Sequence, residues 1–282
     1  MKRPHLLAAA AAAALCLPAL SACGPTASAE RAAAASVYAD TSIAAAVDAP
    51  SRSPANVARD AYRHPRETLG FFGVEPDDTV VEIWPGGGWY AEILAPMVAE
   101  NGSYIAAANG NGLNGVKALI AKDAGLYGKV RLASFPGGRP GADQPPVPAG
   151  SADVVLTFRN VHNWMMGDQP FADDAFRQIF AMLKPGGTLG VVEHRLPETA
   201  DAARERSSGY VRVSTVRRLA EQAGFRFVAA SEVNANPRDT KDHPGGVWSL
   251  PPTYRGKDVD RARFEAIGES DRMTLKFVKP GR

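Results

Sequence analysis

One stretch, VVEIWPGGGWYAEIL at residues 80–94, constrains the fold more than any other. Val80, Val81 and Ile83 read as a buried strand. Gly86, Gly87 and Gly88 follow almost at once, and a helical pattern then begins at Trp89 and Tyr90. A strand that turns through glycines directly into a helix is the opening of a nucleotide-binding α/β unit. Glycine allows the tight turn and the close approach of a ligand to the backbone, and the helix N-terminus offers free N–H groups. Residues 86–91 match the pattern G-x-G-x-x-G/A, with Ala91 last.

The rest of the chain continues the alternation. Apolar runs predict strands at 80–84, 104–108, 130–133, 154–158, 188–193, 226–230 and 273–278. Helical patterns fall at 88–98, 115–122, 173–183, 214–223 and 259–267, and a helix, a break at Pro65 and a second short helix precede them. Strands separated by helices predict an α/β fold, a Rossmann-like doubly wound sheet of seven mostly parallel strands. Ligands bind outside the carboxyl ends of such strands, so the residues just after each strand are the candidates for chemistry.

The N-terminus, MKRPHLLAAAAAAALCLPALSAC, has a positive start at Lys2 and Arg3 and an apolar run too short for a membrane span of roughly 20 residues. It predicts a signal peptide over 1–22, an Ala/Ser-rich tether over 23–53 and a folded domain over 54–282. Leu20-Ser21-Ala22-Cys23 resembles a bacterial lipobox, in which Cys23 is lipidated and anchors the exported chain to a membrane on the periplasmic side. Cleavage after Ala29 is the other reading. The chain has two cysteines, Cys16 and Cys23, so the expected domain has no thiol for disulfides, zinc or nucleophilic catalysis. The 32 basic and 30 acidic residues balance once Lys2 and Arg3 leave. No nucleic-acid footprint of clustered Lys/Arg is present, and the expected partner is a small molecule.

Two cofactors compete for the glycine loop. A nicotinamide dinucleotide wants an acid about 20 positions on, at the end of the second strand, for its ribose. This chain has Asn109 there. The other candidate is S-adenosylmethionine, on the following resemblance. VVEIWPGGGWY is similar to the first motif of class I S-adenosylmethionine-dependent methyltransferases, with Glu82 matching the motif acid and Gly86 and Gly88 its second and third glycines. LKPGGTLGVVEHR at 183–195 resembles that family's late helix–turn–strand motif. More narrowly, RHPRETLGFFGV, TFRNVHNW, GVWSLPPTY and ESDRMTLKFVKP resemble a bacterial group of predicted methyltransferases with a PGGGWY loop, over about residues 55–282. The resemblance implies the class I methyltransferase fold, with S-adenosylmethionine over Glu82, Trp84, Pro85, Gly86, Gly87, Gly88, Trp89, Tyr90 and Asn109. Trp84 stands where the family has its first glycine, and Asn109 where it has the ribose-binding acid.

The catalytic candidates are polar residues at the ends of the fourth and fifth strands. Arg159, Asn160, His162, Asn163 and Trp164 follow the fourth, which in the family faces the transferred methyl group. His162 can act as a general base near neutral pH. Glu193 ends the fifth strand and can orient His162, bind a cation, or pair with Arg195 at the surface. The loop at 234–254, with Asp239, Asp242, His243, Trp248 and Tyr254, reads as a lid, His64 and Arg66 as further cover, and Glu269–Arg272 as a structural cap. His162, His194 and His243 are dispersed and form no H-x-x-x-H pair, so no metal site is expected. Because S-adenosylmethionine is made in the cytoplasm, an exported binding protein on the same scaffold stands beside the methyltransferase reading, and a His- or metal-dependent enzyme is a third.

Overall fold

The computed structural model describes Met1 and residues 42–138 and 142–281. The expected signal peptide and Cys23 lie outside the described residues. Within them, no helix is long and apolar enough to cross a membrane.

The strands are β1 (Thr79–Ile83), β2 (Ser103–Ala107), β3 (Arg131–Ala133), β4 (Ala152–Phe158), β5 (Leu183–Leu196), β6 (Val211–Arg212), β7 (Arg226–Ser231) and β8 (Arg272–Val278). The main sheet runs β3-β2-β1-β4-β5-β8-β7, and the two-residue β6 pairs with β5. The first five are parallel; β8 runs antiparallel between β5 and β7. The α/β fold and seven-strand path match the expectation, with β6 as an addition. Chain order reverses between β1 and β4, so their carboxyl ends border the crevice where such sheets bind ligands.

Residues 42–47 are helical, and the further α-helices are α1 (Pro54–Val57), α2 (Asp60–Arg63), α3 (Pro65–Phe72), α4 (Ala91–Val98), α5 (Asn114–Lys122), α6 (Ala124–Tyr127), α7 (Val161–Met165), α8 (Ala172–Met182), α9 (Val213–Gln222) and α10 (Arg261–Ile267). Strand side chains alternate between faces. Val81, Ile83, Ile105, Val155 and Val191 enter one core layer; Val80, Tyr104, Ala106, Leu156 and Val192 enter the other. Glu82 shares the second face with Val80, and this explains how a carboxyl comes to be buried there.

Two expected boundaries differ. Residues 42–53 belong to the folded unit rather than to a tether: Ile43 is buried in the core, and Arg52 is buried with its guanidinium on Asp60 at 2.6 and 2.8 Å. One large apolar side chain in an Ala-rich run gives little warning of such docking. The expected turn at Lys184–Gly187 lies inside β5. There Gly186 donates to Lys279 and Lys279 to Gly187, so this backbone pairs with the end of the chain instead of standing free.

Candidate active site

Two non-glycine residues sit in the left-handed region at the ends of the central strands, Trp84 after β1 (φ 52) and Arg159 after β4 (φ 62). Such a conformation costs a side-chain-bearing residue about 1–2 kcal/mol, so each must be held. The Trp84 N–H donates to Ala107 at 2.9 Å, its indole Nε1 donates to the Phe135 carbonyl at 3.2 Å, and its ring packs on Trp164 and Phe171. The Arg159 N–H donates to Val192 at 2.7 Å. Strain of this kind gathers at functional sites, and a cavity of about 300 Å³ opens beside both residues.

Most of the sequence-predicted site residues reach this cavity: Glu82, Trp84, Pro85, Gly86, Gly87, Trp89, Tyr90, Arg159, Asn160 and His162 line it. A Cβ added at Gly86 or Gly87 would meet nothing within 4 Å, so the loop backbone is bare toward the cavity. Gly88 does not line it; a Cβ there would lie 2.7 Å from Leu119, because α5 packs under the loop. Asn109 also lies outside the lining. Its amide nitrogen donates to the Pro136 carbonyl at 2.9 Å, while its buried Oδ1 has no partner. Asn160 ties the two strand ends together, donating to Ile83 at 2.9 Å and to Thr157 at 3.1 Å. That is a positioning role.

His162 starts the first turn of α7 directly above the end of β5. Its Nδ1 lies 2.9 Å from the Glu193 carboxylate, which also accepts the N–H of His162 (3.1 Å) and of His194 (2.7 Å). Glu193 is fully buried and orients His162; the surface pairing with Arg195 is replaced by Arg195 bonds to Asp271 and Glu232. An ionised carboxylate only accepts, so Nδ1 carries the proton and Nε2 is left as the basic nitrogen. Trp248 packs edge-on against the His162 ring at 5.9 Å.

His194 Nδ1 lies 2.6 Å from the Ser270 hydroxyl. Burial first, then the charges of His162, Arg272, Arg159 and Arg63, holds its imidazole well below the ordinary histidine range. Two of the three dispersed histidines thus converge, and ligand atoms of His162, Glu193 and His194 lie within 4.8 Å of one another. The surrounding guanidiniums disfavour a dication there, and both Glu193 oxygens are already occupied by N–H groups.

The lid expectation holds in part. Val247, Trp248 and 251–253 line the cavity. Asp239 and His243 are instead buried in a network in which Asp239 accepts from Tyr210 (3.1 Å) and bonds His243 Nε2 (2.9 Å), holding the loop in place. Asp242 is bonded to Thr240, and Tyr254 faces an outer groove. Neither His64 nor Arg66 lines the cavity; Arg66 pairs with Asp48 at the surface.

Arginines supply the features that sequence reasoning missed. Arg63 comes from α2, Arg59 from the turn just before it and Arg272 from the start of β8. Glu269 binds Arg59 at 2.6 Å, Arg63 at 3.4 Å and Arg272. Arg63 also lies over the Trp89 ring at 4.6 Å. The i, i+4 spacing of Arg59 and Arg63 was the one available signal.

Burial also acts on Glu82. It pushes the carboxyl up to about 7, against the opposing pull of the Tyr104 hydroxyl, which donates at 2.5 Å, and of Arg63 and Arg159.

No protein-family model matches the chain. The ubiquinone/menaquinone biosynthesis C-methyltransferase UbiE of Vibrio vulnificus is 28% identical over 135 residues, 47% of each chain. The chain therefore spans about half the length of the curated relatives it matches. Among solved structures, a SAM-dependent methyltransferase from Aquifex aeolicus aligns over 85% of this chain and 98% of its own, with a TM-score of 0.52 and 17% identity. The [4+2]-cyclase SpnF aligns over 88% and 96%, with a TM-score of 0.56 and 15% identity. The bare glycine loop after β1, the strand order with β8 reversed and these matches together give the chain the Rossmann-like fold of the class I S-adenosylmethionine-dependent methyltransferases.

Proposed function

We propose that the chain is an S-adenosylmethionine-dependent methyltransferase acting on a small molecule. The observation that carries this reading is that the bare backbone of Gly86 and Gly87 and the Glu193-oriented His162 face one cavity. The residues present fit the cofactor. Gly86 and Gly87 leave the space that a backbone-hugging ligand needs, whereas Asn109 lies outside the cavity lining. Bound S-adenosylmethionine supplies an electrophilic methyl group on a sulfonium.

The remaining work falls to the chain's own residues. Gly86 and Gly87 would hold the cofactor, and Val247 and Trp248 exclude water. His162 Nε2 accepts the proton of the acceptor's oxygen or nitrogen, while Glu193 stabilises the imidazolium that results. Positioning is the larger contribution in such a transfer. The fold alone does not settle the chemistry, so binding must be measured. Isothermal titration of the purified chain should show S-adenosylmethionine and its demethylated product binding and NADH failing to bind. A folded sample that takes up neither sulfur compound would sink the proposal.

The Cys23 anchor enters as part of the same reading. Cells fed a radiolabelled fatty acid should label the wild-type chain and not Cys23→Ala; two unlabelled proteins would mean cleavage without lipidation.

A further inference from the structure

We propose that Arg159, with Arg63 and Arg272, forms a carboxylate-binding subsite in this cavity, and that the methyl acceptor is a compact organic acid. The assignment of the acid as acceptor rests on the methyltransferase reading; the anion subsite itself rests on geometry and charge.

Four guanidiniums, those of Arg59, Arg63, Arg159 and Arg272, line the cavity. The carboxylates near them are already engaged. Glu269 is shared by Arg59, Arg63 and Arg272. Both oxygens of Glu193 are taken by His162 and by the His194 N–H. Glu82 accepts the Tyr104 hydroxyl.

Arg159 has no hydrogen bond or ion pair from its side chain among the described residues, and a buried nitrogen of Arg63, Nη2, has no partner. The Arg159 side chain is half-buried, and that burial with the Arg272 charge pulls its guanidinium down to about 10, still charged at neutral pH. A half-buried cation without a partner is not fully compensated for the water it has lost. Arg159 occupies a left-handed backbone position as well, where an arginine has no conformational reason to be. A carboxylate ligand would supply the missing compensation, since it accepts two parallel N–H bonds from one guanidinium.

Among the other lining residues are four aromatic side chains, Trp89, Tyr90, Phe158 and Trp248. At about 300 Å³ the space is at the small end for ligand sites, so beside a bound cofactor there is room only for a small acid. Arg159 follows β4 beside His162, so a carboxylate held there keeps the rest of the molecule next to the proposed base.

The probes are benzoate and its uncharged counterpart benzamide, read by tryptophan fluorescence and isothermal titration on the full chain. Benzoate should bind at least tenfold tighter than benzamide, both alone and with the demethylated cofactor product saturating. Arg159→Gln should lose tenfold or more for benzoate while keeping its affinity for that product, and Arg159→Lys should recover part of the loss. Because Arg159 has no partner to lose, the melting temperature of Arg159→Gln should stay level or rise, whereas a structural arginine would lower it.

Equal binding of benzoate and benzamide by the wild type, or an unaltered Arg159→Gln, would overturn the subsite. The wild-type comparison holds even if the variant fails to fold. Competition between benzoate and the cofactor product, or an equal loss of both in Arg159→Gln, would overturn the acceptor assignment, since the arginine would then serve the cofactor's own carboxylate. Charge-dependent benzoate binding with no cofactor binding would support the subsite and remove the methyltransferase reading.

Discussion

Replacing Glu269 by glutamine is expected to destabilise the protein by about 3–5 kcal/mol, the usual cost of removing one partner from a buried ion pair. Glu269 is 3% exposed and is the carboxylate shared by Arg59, Arg63 and Arg272. Glutamine keeps the shape and loses the charge, so those guanidiniums are left buried against one another. Burial alone would raise the Glu269 carboxyl, but the charges of Arg272, Arg63 and Arg59 outweigh it and hold the group down to about 2. The sign follows. The folded value lies below the unfolded one, so this stability is fully present above about pH 4.5 and is lost as pH falls toward 2. For a domain of this size the substitution should lower the melting temperature at pH 7 by roughly 6–20 °C. Thermal unfolding of both proteins from pH 7 to pH 3 checks it, and the gap between them should narrow toward the acid end.

Glu82→Gln should have the opposite effect. Here burial raises the folded value to about 7, above the ordinary 4.5, so the folded state holds a proton that the unfolded chain has already released. Stability therefore falls as pH rises from about 4.5 to 7 and then levels off. Glutamine removes the penalty and still accepts from the Tyr104 hydroxyl. At about 1.4 kcal/mol per tenfold change in proton affinity, the variant should be more stable than wild type at pH 8 by something on the order of 3 kcal/mol, with the difference gone by pH 4. Urea unfolding at the two pH values measures it; an equal effect at both would show that the carboxyl ionises freely in the folded protein. A carboxyl that changes charge near neutral pH beside the glycine loop is a cost to the fold, of the kind found at sites shaped for binding.

The central sheet was legible because its inner strands carry short apolar runs, such as Val80-Val81 and Val154-Val155-Leu156, and buried parallel strands read that way. The pairing of His162 with Glu193 was also within reach. Each ends a strand or follows one, and β4 and β5 are neighbours in a doubly wound sheet. Other features rest on contacts that no local pattern records. Asn109 is held by Pro136 and Trp84 by Phe135, across 27 and 51 residues. Arg59 and Arg63 carry no local signal beyond their spacing; the contacts of this segment with Trp89 bring them to the cavity. The turn at Lys184–Gly187 became strand because the end of the chain returns to pair with it. Local composition gives no hint of such a return.

The central claim is that the ligand lies against the backbone of the glycine loop, and Gly87→Val tests it most directly. Gly87 has no need of a left-handed backbone, and its Cβ direction is empty, so valine should leave the fold and the melting temperature unchanged while adding bulk at a residue that lines the cavity. Titration of the demethylated product of S-adenosylmethionine into both proteins should give saturable binding to the wild type and a loss of a hundredfold or more in the variant. Equal binding to both, or none to the folded wild type, would contradict the account.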